Sequence, residues 1–550
     1  MFTVSVGKEK IEDLNLDISL ASSNVQLVKK VPVTDVNDAF CCLLLSNTAK
    51  KLYNSALYLF KEQYRKNQTI LTYETLDKLM KNEQLYPKYA RIYQDLPAKV
   101  SQQILKLFAQ NIKSFFGLKQ SEKLTDEQKK KVNLPKYYSK NGLIPVYYTN
   151  QAFSKRDFNN ERIIHLSGTD LKIKLDLDSF PEITQFSQIN QVRIVPYTKN
   201  DKDKTLSDLL EEYYSDSYSK ATPLFTIEIV YTVSVSEKRS NNKSLQLLYR
   251  TSIIHKINKK TNKIATIETE ELTEARYTCE FLQSVAGIDQ NLDHIAVGVV
   301  SPDGTTAFNY DIKYLKSVNQ YWNKKKAKLQ ADISYQKQLL KELKEDDKLD
   351  FYQTVLTEYS VSRLITGVEI LLKKLKNKLK RITTKRNRKI DNYTHQLSRK
   401  LVNHLSELGV QNIIYGKNVN FKKEINLGRV TNQNFVNIPF NQIIERLRYK
   451  ACLAGINFMT VEESYTSKTS FLDEEKLHSY KRNKPKKKYI FLGNRFARSL
   501  FRSKDGFVIH ADINASFNII RKVTGDIIYN FVDKGSIKGS SPKRWKINLQ

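Results

Sequence analysis

The 550-residue sequence contains only four cysteines, and no two of them are separated by two residues. Zinc ribbons are built from Cys-x-x-Cys pairs and small disulfide scaffolds from many spaced cysteines, so neither kind of structure is expected. We interpret the four thiols as reduced and mostly buried: Cys41, Cys42, Cys279 and Cys452.

The sequence also lacks a long apolar segment. No run of about 18 apolar residues occurs, which argues against a membrane-spanning helix. The first residues, MFTVSVGKEKIEDLNLD, lack the basic segment and apolar stretch of a secretion signal. We therefore expect no membrane partner and an intracellular location. That location would be cytoplasmic or nucleoid-associated in a bacterium, and nuclear if the source is eukaryotic or viral.

Acidic residues are scarce relative to basic ones. Asp and Glu total 58 against 91 Lys and Arg, which gives a formal net charge of +33. Such an excess is typical of proteins that bind phosphate backbones, where release of counterions drives affinity. A ribosomal-type protein or a generally basic proteome is the alternative explanation. Nucleic acid is therefore the expected partner.

The chain is too long for one compact core, so two to four domains are expected, and the fold class is α+β multidomain. Strand-like alternation at 1–35 and 135–280 flanks a helical block at 36–134, which predicts a β-barrel domain interrupted by a helical domain. Residues 281–550 form a further domain with a helical insertion at about 312–390. Its polar C-terminal tail is expected to be mobile.

The last domain has the element order of the RNase H fold: three strands joined by turns, then helix and strand twice. That fold gathers carboxylates around two divalent metals, which activate water and stabilise the leaving oxygen of a phosphodiester. Asp289 ends the first strand and Asp512 precedes a helical pattern, so both fit metal-ligand positions. A turn role for Asp289 and a helix-capping role for Asp512 are the alternatives. Magnesium prefers oxygen ligands, so carboxylates suffice.

Three segments carry a resemblance to a known family: "GID" before the strand "AVGVV", then "YTSK", then "DINASFNII". They resemble the RuvC-type nuclease blocks of the TnpB proteins, whose relatives are the Fanzor proteins and the compact type V CRISPR effectors. The resemblance covers about residues 280–525. In the N-terminal half, only the strand–helix–strand order agrees with the family's wedge and recognition domains. The resemblance implies an RNA-guided, Mg²⁺-dependent DNA endonuclease with two metal ions, a guide RNA and a double-stranded DNA target.

The chain departs from the family where a middle strand usually ends in glutamate, because Gly416 stands there. Fanzor proteins and some TnpB proteins have a relocated glutamate near the "TS" block, and "VEESYTSK" matches that arrangement. The resemblance therefore implies Glu463 as the third metal ligand beside the two aspartates, with Glu462 as its alternate. Neighbours on a strand point to opposite faces, so only one of them can face the metals. Two surface glutamates are the plain alternative, and Glu424 is a more distant candidate.

Relatives commonly carry two Cys-x-x-Cys pairs between the second and third blocks, but the interval 468–509 contains no cysteine. No structural zinc is therefore expected. The interval is instead basic, in part like a nuclear-localisation signal. We expect its positive side chains to contact the nucleic-acid backbone: Lys481, Arg482, Lys484, Lys486, Lys487, Lys488, Arg495, Arg498 and Arg502.

Gly416 also motivates a second hypothesis for function. If no other acid replaces the usual glutamate, the chain is a nuclease-inactive, RNA-guided DNA-binding protein. A DNA transposase or resolvase of the same fold is a third possibility, and strand joining would distinguish it from a hydrolase.

Overall fold

A computed structural model describes residues 4–6, 17–19, 24–122, 124–178, 180, 182–196, 224–234, 245–258, 263–277, 279–344, 358–417, 439–478, 489–539 and 542–546. Contacts divide the chain into two compact units. One is Asn24–Ser234, and the other combines Met1–Ser23 with Val235–Gln550. No helix within the described ranges is long and apolar enough to cross a membrane.

The described helices and strands are numbered here in chain order. The helices are α1 (Val36–Asn67), α2 (Tyr73–Lys81), α3 (Pro87–Gln94), α4 (Ala98–Gln120), α5 (Asp126–Lys131), α6 (Lys155–Glu161), α7 (Cys279–Leu282), α8 (Lys313–Glu342), α9 (Glu358–Glu407), α10 (Phe440–Leu453), α11 (Ala511–Thr524) and α12 (Lys534–Ile537). The strands are β1 (Val4–Val6), β2 (Asp17–Ser19), β3 (Asn24–Pro32), β4 (Val146–Thr149), β5 (Ile163–His165), β6 (Lys172–Lys174), β7 (Ile189–Pro196), β8 (Phe225–Ser234), β9 (Leu245–Asn258), β10 (Lys263–Tyr277), β11 (Val285–Gln290), β12 (His294–Ser301), β13 (Gly304–Asp311), β14 (Asn412–Lys417), β15 (Asn457–Glu462), β16 (Asn494–Ala497), β17 (Leu500–Arg502), β18 (Val508–His510) and β19 (Lys543–Trp545).

The unit Asn24–Ser234 combines an antiparallel sheet, ordered β3-β8-β7-β4, with the helices α1 to α5, which lie between β3 and β4 in the chain. Helix α1 begins after Asp35, whose carboxylate accepts hydrogen bonds from the backbone of Asn37 and Asp38. It buries a stripe that includes Leu45 and Leu52. Strands β3 and β4 form the two edges of this sheet. A closed barrel would need these edges to be joined, so the predicted barrel is not confirmed and stays a prediction.

Strands β9 and β10 differ from their predicted place in the N-terminal barrel. They form a long antiparallel hairpin, and β10 also pairs with β1. Together these strands make a separate three-stranded sheet, within the same contact unit as the C-terminal domain. Strand alternation in the sequence predicted the strands, but it carries no information about which sheet they join.

A seven-stranded sheet, ordered β19-β13-β12-β11-β14-β15-β2, forms the centre of the second unit. Strands β11, β12 and β13 are an antiparallel meander, while β14 and β15 run parallel to β11. The carboxyl ends of β11, β14 and β15 therefore meet at one edge. Helix α11 packs closely across β11, since a Cβ added at Gly287 would collide with the Ser516 carbonyl.

Two details of this unit bear on the sequence-based expectations. The boundary of the helical insertion expected at about residue 390 falls within helix α9, which runs unbroken to Glu407. The tail, predicted to be mobile, contributes β19, which pairs in parallel with β13. The cause is aromatic packing: the Trp545 ring lies 4.4 Å from the His404 ring and 6.4 Å from the Tyr310 ring, centroid to centroid. Two aromatic side chains thus anchor a segment whose flanking composition is polar.

Candidate active site

Three carboxylates meet at the carboxyl edge of the parallel strands. Asp289 lies near the end of β11, Glu463 directly follows β15, and Asp512 lies in the first turn of α11. The charges of Glu463 and Asp512 both act on Asp289. The structure therefore brings together three residues that span 223 positions of the sequence, from Asp289 to Asp512.

Gly416 leaves the space that the Glu463 side chain occupies. It pairs in register with Val461 across β14 and β15, and a Cβ added to it would lie 3.0 Å from Glu463 Oε2. The carboxylate that follows β15 thus lies over the residue position where relatives of the resembled family carry glutamate on the neighbouring strand. Glycine at this position is what makes room for it.

Glu462 makes different contacts. It pairs in register with Lys417, and its Oε1 accepts a hydrogen bond of 3.0 Å from the backbone nitrogen of Ser464. Its Oε2 lies 3.8 Å from the Nζ of Lys522, whose side chain is buried. Glu462 therefore closes the turn after β15 and neutralises a buried lysine, while the carboxylates acting on Asp289 are Glu463 and Asp512.

The electrostatics of the three acids differ because their partners differ. Burial raises the pKa of Asp289 well above its ordinary value, and the charges of Glu463 and Asp512 raise it further. Burial, followed by the charge of Glu462, raises the pKa of Glu463 to about 7. Burial also acts to raise the pKa of Asp512, but the hydrogen bond with His294 and the charge of Arg495 outweigh it and lower the value.

Crowded carboxylates of this kind suit a hard divalent cation. The charges of Glu463 and Asp512 destabilise the ionised form of Asp289, and a bound dication would reverse that penalty. The donor atoms of Asp289, Glu463 and Asp512 are all oxygens, which is the ligand type that Mg²⁺ prefers. The residues present therefore fit a magnesium site.

Two histidines near Asp512 had no place in the sequence-based site. His294 Nε2 lies 2.9 Å from Asp512 Oδ2, and His510 Nδ1 lies 4.0 Å from the same oxygen. Arg495 approaches the other oxygen, with its Nη2 at 3.4 Å from Oδ1. The signal was present, since the two histidines lie five residues after Asp289 and two before Asp512.

Two buried asparagines of α11 link the "YTS" and "DINASFN" segments. Asn514 Nδ2 donates to the Thr469 carbonyl at 2.8 Å, and its Oδ1 accepts from the Phe471 backbone nitrogen at 2.9 Å. Asn518 Nδ2 donates to the carbonyls of Thr466 and Thr469 at 3.0 and 2.7 Å. These bonds hold the turn that follows Glu463 onto the helix that carries Asp512.

Replacing Asn514 with alanine is expected to lower the free energy of unfolding by about 1–3 kcal/mol, because the buried Phe471 amide loses its partner and the Thr469 carbonyl loses one of its two donors. Thermal or urea unfolding of the purified chain measures the change. Asn441, exposed in the first turn of α10, provides the matched control, for which Asn441→Ala should change stability by less than about 0.5 kcal/mol. Equal losses in both variants would contradict the clamping role of Asn514.

The predicted nucleic-acid-binding residues divide into two groups. Arg495 lies against Asp512, the Arg498 side chain is 90% exposed, and Arg502 lies with its guanidinium 4.4 Å from the centre of the Phe496 ring. All three lie on or beside the small sheet β16-β17-β18. The candidate Glu424 lies outside the described ranges. So do the other predicted nucleic-acid-binding residues: Lys481, Arg482, Lys484, Lys486, Lys487 and Lys488.

Comparison with known families covers this same region. The family OrfB_IS605, described as "Probable transposase", matches residues 280–422, and the family "Cas12f1-like, TNB domain" matches residues 440–519. The two matches contain Asp289 on one side and Glu463 with Asp512 on the other. These two segments of the chain are therefore similar to those families. The resemblance carried by the three sequence blocks is thereby confirmed.

Two solved structures align with most of this chain at low identity. One is the "Cryo-EM structure of the Cas12f1-sgRNA-target DNA complex", with 12% identity, a TM-score of 0.25, and coverage of 90% of this chain and 98% of that chain. The other is the "Cryo-EM structure of CRISPR-Cas12f Ternary Complex", with 14% identity, a TM-score of 0.24, and coverage of 88% and 81%. No curated protein matches the chain. The family matches and the geometry of the site therefore carry the functional argument.

Proposed function

We propose that this TnpB-like chain is an RNA-guided DNA endonuclease with an RNase H-like, RuvC-type catalytic domain. The observation that carries the proposal is the convergence of Asp289, Glu463 and Asp512 at the carboxyl edge of the β11-β14-β15 strands. Gly416 alone would argue for a nuclease-inactive binder. The Glu463 carboxylate over Gly416 supports the active enzyme instead.

Asp289, Glu463 and Asp512 would hold two Mg²⁺ ions, which when bound supply the activation of water and the stabilisation of the leaving oxygen. The protein groups around them orient the ligands. Asn291 Nδ2 donates to Asp289 Oδ2 at 2.9 Å, which fixes the rotation of that carboxylate. Arg495 holds the Oδ1 side of Asp512.

The partners that we propose are a guide RNA and a double-stranded DNA target. A net charge of +33 supplies the attraction to two phosphate backbones. Base pairing with the guide would read the target, while the protein contacts backbones and a short flanking sequence. Arg498, which lines the cavity beside Asp512, and the exposed Arg502 would contact a phosphate backbone. The location of the protein would follow that of its DNA, in a nucleoid or a nucleus.

Aromatic contacts, and not a zinc ion, would hold together the residues on either side of the basic segment 479–488. His478 and Tyr489 flank that segment, and their rings stack with centroids 3.7 Å apart. The Tyr465 ring contacts both, at 6.2 Å from His478 and 5.3 Å from Tyr489. This aromatic contact brings the two ends of the segment together, which is the task that cysteine pairs perform in zinc ribbons.

The proposal is tested with the purified full chain and the RNA that copurifies with it. Sequencing that RNA identifies the guide, and a DNA library with the complementary target supplies the substrate. We expect Mg²⁺-dependent hydrolysis of matched DNA, no hydrolysis of mismatched DNA, and loss of activity in EDTA. Binding of matched DNA without cleavage would overturn the proposal in favour of the inactive binder, and joined strands among the products would favour a transposase.

A further inference from the structure

A second group of potential ligand atoms adjoins the three carboxylates. His294, His510 and Asp512 each offer one atom, and these atoms lie within 4.8 Å of one another. The His294 and His510 rings stand almost perpendicular, at 85°, with centroids 5.8 Å apart. Two imidazole nitrogens therefore converge on one carboxylate oxygen, Asp512 Oδ2, from different directions.

His510 has a buried ring nitrogen that no protein group satisfies. The residue is 4% exposed, and among the described residues its Nδ1 has no hydrogen-bond partner. Its distance of 4.0 Å from Asp512 Oδ2 is too long for a hydrogen bond. The same 4.0 Å separation suits two atoms that ligate one metal ion, because two metal–ligand bonds of about 2.1 Å allow the ligand atoms to be up to about 4.2 Å apart.

The space beside these atoms is open enough for an ion and its waters. A cavity of about 400 Å³ is lined by His294, His510 and Asp512. Arg495, also in its lining, pairs with Oδ1 of Asp512 and leaves Oδ2 to the histidines. A cation reaching Oδ2 therefore does not have to displace the arginine from the other oxygen.

We propose that His294, His510 and Asp512 form a binding site for a first-row transition-metal dication, in the class from Mn²⁺ to Zn²⁺. The site would bind such an ion in preference to Mg²⁺. Imidazole nitrogen suits transition metals, whereas Mg²⁺ prefers oxygen ligands and near-octahedral hydration. The site shares Asp512 with the proposed magnesium site, so an ion bound here would change the metal selectivity of that centre. The inference does not rest on nuclease activity, because metal binding requires no DNA.

An ordinary hydrogen bond between His294 and Asp512 is the simpler explanation for one half of this geometry. It accounts for the 2.9 Å separation of His294 Nε2 and Asp512 Oδ2. It does not account for the buried Nδ1 of His510, which faces the same oxygen without a proton bridge to it. A metal ion satisfies both nitrogens at once.

Titration of the purified full chain with Co²⁺ tests the site, since Co²⁺ bound by nitrogen and oxygen absorbs visible light. We expect one Co²⁺ to bind in the presence of an approximately hundredfold excess of Mg²⁺. His294→Gln and His510→Gln should each weaken this binding by about tenfold or more. His395→Gln is the matched control, because His395 is exposed on α9 and contacts Tyr449, so it should leave Co²⁺ binding unchanged.

Unchanged Co²⁺ affinity in both site variants, or displacement of Co²⁺ by an equal concentration of Mg²⁺, would overturn the inference. Thermal unfolding checks that each variant folds, and His294, which is partly exposed, is the variant expected to tolerate replacement best. The two proposals fail separately. Cleavage of DNA with Mg²⁺ but histidine-independent Co²⁺ binding rejects only this site, whereas histidine-dependent Co²⁺ binding without cleavage in any metal rejects only the nuclease.

Discussion

Replacing Glu463 with glutamine is expected to reduce the rate of DNA cleavage by about a hundredfold or more, and replacing Glu462 should not. Loss of a residue that merely orients a metal ligand commonly costs about 10- to 100-fold, and a ligand should cost at least as much. Glu463 lies over Gly416 and acts on Asp289, whereas Glu462 engages Ser464 and Lys522. Initial rates of cleavage of matched DNA, at saturating guide RNA and Mg²⁺, measure the difference.

The two variants control for each other, because they make the same chemical change at adjacent positions. Glu462→Gln removes the charge facing Lys522, so a modest loss of stability is expected there, with cleavage retained at permissive temperature. Asp289→Asn gives the reference for a site without one aspartate, and target binding should survive in all three variants. Full cleavage by Glu463→Gln together with loss in Glu462→Gln would exchange the roles of the two glutamates.

The sequence could indicate Asp289 and Asp512 because each follows a recognisable local pattern, a strand end and a helix start. A glutamate near 462–463 could be predicted only through the resemblance. The choice between Glu462 and Glu463 depends on which side of the sheet each side chain points to at the end of β15. Two contacts distinguish them: the Gly416 contact of Glu463 comes from β14, 47 residues earlier in the chain, and the Lys522 contact of Glu462 comes from α11, 60 residues later.

Residues whose partners are distant in sequence escaped prediction. His294 begins β12 and His510 ends β18, and only the packing of α11 against the sheet brings both rings to Asp512. Trp545 looked like part of a polar tail because its partners lie on β13 and α9. In each case a single side chain decides the outcome, and neither composition nor periodicity reports on single side chains.

Gly416→Ala is expected to impair the site although alanine carries no charge. The added Cβ would lie 2.5 Å from Ile519 Cδ1 and 3.0 Å from Glu463 Oε2, so one or both side chains must move. Overpacking of this kind costs about 1–3 kcal/mol of stability, and displacement of a metal ligand by about 1 Å can cost about a hundredfold in rate. Thermal unfolding and cleavage rates measured on the same preparations record the two effects.

A second substitution separates the two clashes. Ile519→Val removes Cδ1, so the double variant Gly416→Ala with Ile519→Val should recover part of the lost stability, while cleavage stays low because the contact with Glu463 Oε2 remains. Gly367→Ala on α9 is the matched control, since an added Cβ there meets nothing within 4 Å and alanine favours a helix by about 1 kcal/mol. Recovery of cleavage together with stability in the double variant would show that Ile519, rather than Glu463, requires glycine at 416. A side chain at position 416 of β14 would then be compatible with Glu463 after β15. The placement of the glutamate after β15 would not depend on glycine at position 416.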